Sequence, residues 1–430
     1  MAEQPAILYK NRYVEGIAGF DTYRKHDGYA AFEKALAMTP EAIIDEIRAS
    51  GLRGRGGAGF PIHIKWSAIP KNRDSEHYLV INADEGEPGT AKDRDLMNHI
   101  PHLLIEGCLI AMHAIRASKC YIYLRGEYVQ PWQSVQRAIN EAYRAGFLGK
   151  NVLNSGLDFE MHTHLGAGSY ECGEESALMS SLMGERGMPR LKPPSAPLPM
   201  VSGAWQKPTV VNNVETVATA VPIITMGAAE YAKLGPADNP RSRGTKITTV
   251  SGHVNRPGNY EMLMGTTVRE MIEIAGGVRD GHTLKCVIPG GSSTAFLMPQ
   301  HLDTPMDYES MQKAGSALGS GALIVMDETT AIVPVVKRLV DFYKHESCGK
   351  CTPCREGTDW MAKIYDRLVR GGGREQDLDL LLDICDNITM KSFCALGDAA
   401  IVPVQSSIKW FRDEYLSYIR TGRDLMMAAA

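Results

Sequence analysis

Residues 78–87 read Tyr-Leu-Val-Ile-Asn-Ala-Asp-Glu-Gly-Glu, an apolar run that ends in polar and acidic side chains. Four consecutive apolar residues, Tyr78 to Ile81, are typical of a strand buried on both faces of a parallel sheet. Helical and strand patterns alternate along the chain on either side of this run. The alternation predicts an α/β domain whose ligands bind beyond the carboxyl ends of the strands, where residues 82–87 lie.

The elements predicted around this strand follow the order expected of such a domain. Thr39 and Pro40 have the pattern of a helix N-terminus, with threonine as N-cap and proline at the first helical position, and Gly51 marks the end of that helix. Further elements are predicted as helices at 103–115, 135–145 and 176–183 and as strands at 121–124 and 159–163. Six prolines between Pro189 and Pro208 predict an extended segment, because proline disrupts both helices and central strands.

Beyond residue 246 the pattern changes twice. Short strands at 247–250 and 286–288 surround one helix at 267–275, which predicts a small α+β domain. From Thr329 onward helical periodicity dominates and predicts a terminal bundle. We therefore expect three domains, spanning residues 1–240, 241–328 and 329–430.

Composition excludes several classes of protein. A chain of 430 residues is longer than one hydrophobic core usually serves. Its formal net charge is −4 and its like charges are not clustered, which excludes a nucleic-acid-binding function. The longest apolar stretch, residues 217–229, is shorter than the roughly 20 residues of a membrane span. The N-terminus lacks a signal-peptide pattern, so we expect a cytoplasmic protein.

Three cysteines, Cys348, Cys351 and Cys354, lie within seven residues and can supply three thiolates to one metal centre. In a bacterial ferredoxin run the next cysteine would stand at position 358, which is a threonine here, so the fourth ligand must come from elsewhere. The candidates are Cys385 and Cys394.

Two features of the cysteine pattern decide which centre and which fourth ligand are favoured. Gly397, close to Cys394, lets backbone amides approach inorganic sulfide, which favours Cys394. Zinc ribbons usually carry two separated Cys-x-x-Cys pairs, whereas this chain has a triple with one distant partner. The pattern therefore favours an iron–sulfur cluster, and a zinc site is the alternative.

Residues 54–59, Gly-Arg-Gly-Gly-Ala-Gly, satisfy the formula G-x-G-x-x-G. A dinucleotide fingerprint follows a strand and opens a helix, but this loop follows a predicted helix and precedes Pro61. A glycine-rich connection with solvated arginines is therefore one interpretation. The other is a ligand loop, because glycines let the backbone approach a flat ring or a phosphate and Arg53, Arg55 and Lys65 supply positive charge.

A second glycine-rich loop, residues 166–175, leads into the helix predicted at 176–183. Its carboxylates can cap that helix. Together with residues 84–87 and Glu215, they form three acidic groups that can also accept hydrogen bonds from ribose or ribityl hydroxyls.

Six motifs, in this order and spacing, strongly resemble the NADH-binding, flavin-carrying 51 kDa subunit of respiratory complex I. They are GLRGRGGAGF (51–60), INADEGEPGT (81–90), GAGSYECGEE (166–175), PTVVNNVET (208–216), HESCGKCTPCREGT (345–358) and SFCALGD (392–398). The resemblance covers almost the whole chain. It implies a Rossmann-like α/β domain for FMN and NADH, a ubiquitin-like, soluble-ligand-binding β-grasp domain, and a C-terminal four-helix bundle with a [4Fe–4S] cluster.

The resemblance also implies site residues. Its FMN contacts are Gly54, Arg55, Gly56, Lys65, Asn82, Asp84, Glu85, Tyr170, Gly173, Glu174, Val211, Asn212, Asn213 and Thr216, and Gly57, Ala58 and Gly59 complete the glycine loop. Around NADH the family uses the positions of Phe60, Glu87, Glu175 and Lys192, and of these Glu87 and Glu175 orient NADH as catalytic residues. The cluster ligands are Cys348, Cys351, Cys354 and Cys394, in agreement with their spacing.

The implied function is electron entry into complex I. NADH gives a hydride to FMN, and electrons leave singly through the cluster and partner subunits to quinone, without a side-chain general base. The implied partners are a thioredoxin-like [2Fe–2S] subunit and a large multi-cluster subunit of a peripheral arm on the cytoplasmic side of the membrane, which this chain does not enter. Two alternatives are the diaphorase subunit of an NAD-linked formate dehydrogenase or NAD-reducing hydrogenase, and a zinc-stapled nucleotide-binding scaffold.

The chain departs from the family pattern at a few positions. The family usually has aromatic residues where Ala68 and Ser195 stand, isoleucine at Glu171, threonine at Ser176, and Thr-Gly at residues 62–63. Adenine tends to stack on the two aromatics in the family. Their absence predicts that NADH binds more weakly than is typical.

Overall fold

A computed structural model describes residues 6–71, 75–192, 194–195 and 197–421. The chain divides into two compact units. The first comprises the chain up to Gly86, Thr90–Thr248 and Asn259–Thr266, and the second comprises Glu87–Gly89, Thr249–Gly258 and the chain from Thr267 onward.

The first unit alternates helices with strands, as the sequence predicts. Its helices are α1 (Phe20–Lys25), α2 (Ala30–Leu36), α3 (Pro40–Ala49), α4 (Ile62–Ser67), α5 (Lys92–His99), α6 (Pro101–Ala114), α7 (Val129–Arg144), α8 (Glu175–Leu182), α9 (Val214–Ala218), α10 (Ala220–Met226) and α11 (Ala228–Tyr231). Its strands are β1 (Tyr78–Ala83), β2 (Lys119–Leu124), β3 (Glu160–Leu165) and β4 (Thr209–Asn213). Short 3-10 turns occur at Val152–Asn154, Tyr170–Gly173 and Ala204–Gln206.

The four strands form a parallel sheet in the order β3-β2-β1-β4. Tyr78 of β1 pairs with Lys119 of β2 on one side and with Thr209 of β4 on the other. The chain moves outward from β1 to β3 and then returns to place β4 on the opposite side of β1. The order of the strands therefore reverses between β1 and β4, which is the position where open α/β sheets bind ligands.

Helix α6 forms the centre of the larger hydrophobic core of the first unit. All fourteen of its residues are buried, which explains a sequence that is apolar on every side. Gly107 lets α6 approach α9 closely, because a Cβ there would lie 2.3 Å from the carbonyl oxygen of Val217. The buried carboxylate of Glu106 accepts hydrogen bonds from the Tyr23 hydroxyl at 2.5 Å and from the Phe32 amide at 3.1 Å.

A second sheet has the order β6-β5-β8-β7, with β5 (Thr245–Gly252), β6 (Gly258–Leu263), β7 (Leu284–Ile288) and β8 (Ala322–Asp327). In the second unit β5 pairs with β8 in parallel, and β7 pairs with β8 in the antiparallel sense. Helices α12 (Val268–Ile274) and α13 (Tyr308–Lys313) and a 3-10 turn at Pro299–His301 complete this region. The predicted strands and the single predicted helix at 267–275 are confirmed, and Thr267 caps that helix together with Glu270.

Four helices follow, α14 (Ile332–Glu346), α15 (Thr352–Val369), α16 (Gln376–Ile388) and α17 (Leu396–Thr421). Helix α14 packs against α15 and α17, and α16 packs against the same two helices. The predicted helical character of this region is confirmed. In the described part of the chain no helix combines the length and the apolar character needed to cross a membrane.

The secondary-structure predictions differ from the structure in a few places. Strand β3 begins at Glu160 and ends at Leu165, slightly beyond the predicted 159–163. Strands β4, β6 and β8 were not predicted, and the division at residues 240 and 328 stays a prediction.

Candidate functional site

Most of the predicted nucleotide-site residues of the first unit gather at the carboxyl ends of β1 and β4. Asn82, at the end of β1, donates from Nδ2 to the carbonyl oxygen of Gly173 at 2.7 Å, and its Oδ1 accepts from the Asp84 amide at 3.1 Å. A Cβ at Gly86 would lie 2.9 Å from Cδ2 of Tyr170. The loop 166–175 is therefore held directly against the chain that leaves β1.

The glycine loop 54–59 lies against the end of β4. The amide of Arg55 donates to Oγ1 of Thr216 at 2.8 Å, and a Cβ at Gly56 would lie 3.1 Å from Cβ of Asn213. Two of its glycines have left-handed backbones, with φ of 137° at Gly57 and 62° at Gly59, which other residues rarely adopt. The predicted ligand loop thus reaches the same strand ends as residues 82–86.

Two glycines of the site are not explained by their own backbone or packing. Gly54 and Gly173 are not among the positive-φ residues. A Cβ would find its nearest protein atom at 3.5 Å in both cases, the carbonyl oxygens of Phe60 and Asp84 respectively. Side chains would fit here, so bare backbone at these two positions suits a flat ligand that lies against it. The residues therefore fit a bound flavin.

Lys65 and Glu175 form a charged pair at this site. Lys65 Nζ donates to Oε2 of Glu175 at 2.8 Å and lies 3.4 Å from the carbonyl oxygen of Val211. Both side chains are partly exposed. The pair therefore places one positive and one negative group beside β4 within reach of a ligand.

The other strand-end polar groups are engaged with the protein. The indole Nε1 of Trp66 donates to Oδ1 of Asn212 at 2.8 Å. Nδ2 of Asn213 donates to Oδ2 of Asp93 at 2.7 Å. Phe60, in contrast, is 44% exposed and presents an open ring surface.

Glu174 caps α8, as the sequence predicts for a carboxylate of this loop. Its Oε2 accepts from the amides of Ser176 and Ala177, each at 2.9 Å, and Lys192 Nζ lies 3.0 Å from its Oε1. Burial raises the pKa of Glu174, but these hydrogen bonds and Lys192 outweigh burial and leave the pKa below its usual value. Glu174 therefore stabilises the end of the loop, and its ion pair with Lys192 holds that lysine there.

Glu85 has a structural role that its motif did not reveal. Its two carboxylate oxygens accept from the amides of Asp93 at 2.8 Å and Arg94 at 2.9 Å, at the N-terminus of α5, and from the Tyr128 hydroxyl at 2.9 Å. Burial, assisted by the charge of Asp93, raises the pKa of Glu85 to about 7.

This raised pKa gives a pH-dependent stability. Because the folded state binds the Glu85 proton more tightly than the unfolded state, its contribution is complete below about pH 4.5 and is lost as the pH rises through about 7. We expect Glu85→Gln to flatten the change in thermal midpoint between about pH 5 and about pH 8. Glu160→Gln, on β3, is the matched control. An equal pH dependence in wild type and Glu85→Gln would contradict the assignment.

A buried ion network supports the glycine loop. Lys92 Nζ lies 2.8 Å from Oε2 of Glu215 and 2.8 Å from Oδ1 of Asp93. Lys246 Nζ lies 3.6 Å from the same Glu215 oxygen and donates to the carbonyl oxygen of Arg55 at 3.1 Å. Burial lowers the pKa of Lys246 to about 7. Glu215 is therefore engaged with lysines rather than open to ligand hydroxyls.

Sequence reasoning missed Lys92, Asp93 and Lys246. Lys92 and Asp93 stand two and three residues after Thr90, where the motif ends, and this closeness was the one available signal. Lys246 lies about 190 residues from Arg55 in the chain, so no local pattern connects the two.

Glu87, predicted as catalytic, belongs to the second unit. Its Oε1 accepts from the Ser293 amide at 2.8 Å and from Ser292 Oγ at 3.1 Å. Ser292 Oγ also lies 2.8 Å from the Tyr343 hydroxyl. The carboxylate is thus fixed in one orientation by two serines that sequence reasoning did not single out.

The cysteine segments of the second unit meet at the N-termini of two helices. Cys351 is the N-cap of α15 and Cys354 lies in its first turn, while Cys394 comes two residues before α17. The amide of Phe393 donates to Sγ of Cys351 at 3.2 Å, and Lys350 Nζ lies 4.9 Å from the centre of the Phe393 ring. These contacts bring the segment of Cys394 against the Cys348–Cys354 segment.

This arrangement fits a cysteine-bound cluster. Helix N-termini and amide-to-sulfur hydrogen bonds stabilise the negative charge of thiolates and inorganic sulfide. Cys385, the other candidate, is fully buried on α16 with its Sγ 3.8 Å from Met361 Sδ, and burial raises its pKa to about 12. Cys385 is therefore a core residue, which leaves Cys394 as the favoured candidate for the fourth ligand.

The positions that depart from the family pattern fall into two groups. Ala68 and Ser195 are both exposed, so neither side chain is needed for the core. Glu171 is buried, and Ser176 Oγ accepts from the Arg190 amide at 2.9 Å while donating to the Glu174 carboxylate.

The first unit has open space beside two glycines near the reversal point of a parallel sheet, and in the same chain two cysteine segments meet at helix N-termini. These features together indicate a nucleotide- or flavin-binding iron–sulfur protein. Family profiles agree: the Nuo51 FMN-binding domain matches residues 47–222, the SLBB domain matches 247–297, and the NADH-ubiquinone oxidoreductase-F iron-sulfur binding region matches 334–418. The chain belongs to the family of NADH-quinone oxidoreductase F-subunits.

Similar proteins share most of the chain. The NADH-quinone oxidoreductase F-subunit of Mycobacterium bovis is 53% identical over 95% of this chain and 93% of its own length. The Streptomyces coelicolor protein of the same name is 52% identical over 94% of this chain and 88% of its own. A crystal structure of an NAD+-reducing [NiFe]-hydrogenase matches with a TM-score of 0.82 and 37% identity over 91% of this chain and 65% of that chain.

Proposed function

We propose that this chain is the electron-entry subunit of an NADH-quinone oxidoreductase, which oxidises NADH and passes the electrons to an iron–sulfur cluster. The observation that carries the proposal is the open space beside Gly54 and Gly173 together with the contact between the two cysteine segments, in one member of this family. FMN, when bound, accepts a hydride from NADH and releases electrons one at a time. The side chains and backbone of the protein bind and orient the cofactor and the nucleotide, and they set the charge around them.

The glycine loop and the two strand ends would hold FMN. Gly54, Gly56 and Gly173 offer bare backbone, and the Lys65–Glu175 pair supplies charge beside β4. Asn82, Asp84, Tyr170, Val211, Asn212, Asn213 and Thr216 line or support the same strand ends, with Arg55, Gly57, Ala58 and Gly59 in the loop. Glu85 acts indirectly in this proposal, by fixing the N-terminus of α5 next to the chain that leaves β1.

The residues proposed for NADH have exposed or charged side chains, and they are Phe60, Glu175 and Lys192 of the first unit and Glu87 of the second. Phe60 presents a ring, while Glu175 and Lys192 present charges that orient the dinucleotide. Glu87 is proposed as the second orienting carboxylate, held ready by Ser292 and Ser293. None of these groups is needed as a general base, because the hydride chemistry belongs to the cofactor.

Cys348, Cys351, Cys354 and Cys394 would bind a [4Fe–4S] cluster. The family profile of the iron–sulfur region spans all four. We further propose that the SLBB-matching region is a ubiquitin-like β-grasp domain and that α14–α17 form a four-helix bundle, with domain limits near residues 240 and 328.

The proposed partners are a thioredoxin-like [2Fe–2S] subunit and a large multi-cluster subunit of a peripheral arm. Membership of a family whose members are named as subunits of an NADH-quinone oxidoreductase supports this assignment, because a subunit acts together with other chains. The proposed location is the cytoplasmic side of the membrane, as a peripheral part of that complex.

The second candidate is a diaphorase subunit, which the similarity to the NAD+-reducing hydrogenase favours. The identity is 37% there and 53% to the Mycobacterium bovis protein, so the quinone-linked assignment is preferred. The partner chain that copurifies distinguishes the two, since a diaphorase is found with a hydrogenase or formate dehydrogenase subunit.

An anaerobic NADH titration of the protein with its copurifying partners tests the proposal. Flavin absorbance should bleach and an electron paramagnetic resonance signal of a reduced cluster should appear in the same titration. Iron and zinc are assayed beforehand. Zinc in place of iron, without flavin, would instead establish the zinc-stapled scaffold.

The small side chains of Ala68 and Ser195 stand where the family usually has aromatic rings, so we expect NADH to bind weakly. Aromatic contacts contribute about 0.5–1.5 kcal/mol each, so the double variant Ala68→Phe/Ser195→Phe should lower the NADH dissociation constant by about threefold to tenfold per ring. The measurement is NADH binding at fixed flavin content. The matched control, Ser155→Phe/Ala237→Phe, changes two exposed residues elsewhere in the first unit and should show no such gain. An unchanged affinity in the double aromatic variant would refute the idea.

A further inference from the structure

A second cluster of metal-ligating side chains lies in the second unit, away in sequence from the cysteines. His282 precedes β7, Asp327 ends β8, and Glu328 follows directly. Because β7 and β8 are antiparallel with Leu284 opposite Asp327, the two strand ends bring these residues together. One ligand atom from each of the three side chains lies within 4.8 Å of the other two.

The spacing of these atoms suits a small divalent ion. His282 Nδ1 lies 2.8 Å from Oε1 of Glu328 and 3.7 Å from Oδ2 of Asp327. Tetrahedral Zn²⁺, with bonds of about 2.0–2.2 Å, separates its ligand atoms by about 3.3–3.6 Å. Small adjustments of two partly exposed side chains, His282 and Glu328, would reach those separations.

The side chains are also oriented toward a common point. Oε2 of Glu328 accepts from the amide and hydroxyl of Thr283, at 2.7 and 3.2 Å, which turns Oε1 toward His282. Oδ1 of Asp327 accepts from the amide and hydroxyl of Thr329, at 3.1 and 2.7 Å, which turns Oδ2 toward His282. Hydrogen bonds of this kind hold metal ligands in place in known sites.

One hydrogen on His282 Nδ1 satisfies these carboxylates less well than a divalent metal ion would. His282 Nδ1 carries at most one hydrogen, yet it faces carboxylate oxygens of two different residues. A single divalent ion contacts all three atoms at once. We propose that His282, Asp327 and Glu328 form a Zn²⁺ site that joins the ends of β7 and β8, with water completing the coordination.

Two other basic side chains, those of Arg279 and His253, face Asp327. Arg279 donates from Nε to Oδ2 of Asp327 and from its terminal nitrogen to Thr329 Oγ1 at 2.8 Å, and its side chain is 40% exposed. His253 Nδ1 lies 2.9 Å from Oδ1, the opposite oxygen. The metal therefore competes with Arg279 for Oδ2 and does not compete with His253.

This competition gives the proposal a specific signature. Removing a ligand should weaken Zn²⁺ binding, as in any site, whereas removing Arg279 should strengthen it. A network of ion pairs with no affinity for metal would show neither effect. Imidazole and carboxylate together favour Zn²⁺ over Mg²⁺, which prefers oxygen ligands alone and keeps its waters.

The test uses the complete protein with its flavin and cluster. Zn²⁺ uptake is measured by equilibrium dialysis and metal analysis, with iron content followed to show that the cluster stays intact. We expect His282→Ala and Glu328→Gln to weaken binding by about tenfold or more, and Arg279→Ala to tighten it by about threefold to tenfold. Excess Mg²⁺ should not displace the bound zinc.

The matched control is His162→Ala, a half-exposed histidine in the first unit, which should bind like wild type. Glu328→Gln keeps the shape of the side chain, so it reports on the ligand even if His282→Ala proves unstable. Uptake that is the same in wild type, His282→Ala and Glu328→Gln overturns the site, as does wild type without bound zinc. Arg279→Ala that binds no tighter than wild type overturns the competition.

Discussion

Replacing Cys394 with serine should remove the iron–sulfur cluster, with iron falling to the level of an apoprotein and the reduced-cluster resonance absent. A cluster held by three of its four thiolates loses one strong Fe–S bond, and serine is a poor substitute. The Phe393 amide that donates to Cys351 Sγ lies in the same segment, so the segment stays near the site in the variant. NADH should still bleach the flavin, because the flavin site lies in the first unit.

Cys385→Ser is the matched control for this experiment. Cys385 is buried on α16 against Met361 and lies outside the proposed ligand set, so its variant should keep wild-type iron. A moderate loss of thermal stability is expected, since a hydroxyl replaces a buried thiol. The reverse outcome, with iron lost in Cys385→Ser and kept in Cys394→Ser, would exchange the roles of the two residues.

The second large effect is expected at Gly173. Valine there should abolish FMN binding while the fold is retained, and alanine should weaken it by about tenfold or more. The structure allows this separation because a Cβ at Gly173 meets no protein atom closer than 3.5 Å and the backbone is not left-handed. The readouts are flavin content after purification and the thermal unfolding midpoint.

Gly19→Val, at the start of α1, is the matched control. A Cβ at Gly19 would lie 3.4 Å from its nearest neighbour, the carbonyl oxygen of Gly16, so this variant adds the same bulk elsewhere in the first unit. It should retain flavin. Full flavin content in Gly173→Val would show that the cofactor does not lie against this residue.

A local sequence pattern was sufficient to predict an element where neighbouring residues encode both its burial and its ends. Tyr78–Ile81 was recognisable because a central parallel strand is buried on both faces, and Thr39–Pro40 because the cap and the first-turn proline are both local. An iron–sulfur region was predictable for the same reason, since three cysteines lie within seven residues. Strand β4 was missed because it directly follows the proline-rich segment. Its five residues are also too few to show a clear alternation of apolar and polar side chains.

The sequence motifs predicted residues that lie at the same strand ends, and they did not predict the contacts that each of these residues makes. The resemblance predicts that Glu85 contacts FMN, and the structure adds that its carboxylate accepts from an amide of α5 eight residues away, a contact that spacing alone does not disclose. Lys246 reaches Arg55 across about 190 residues, and only the folded sheet makes them neighbours. Long-range pairings of this kind depend on topology, which a local pattern does not encode.

The absence of a side chain at Gly107 links the hydrophobic core to the nucleotide site. Helix α9 lies against this glycine through Val217, and Thr216 of the same helix holds the Arg55 amide. A change in side-chain volume at Gly107 therefore also changes the position of the glycine loop. A side chain added at Gly107 to fill the core would push α9 and, through Thr216, the loop proposed to receive the flavin. Changes that raise heat resistance are therefore better sought on the solvent faces of α7 and α16.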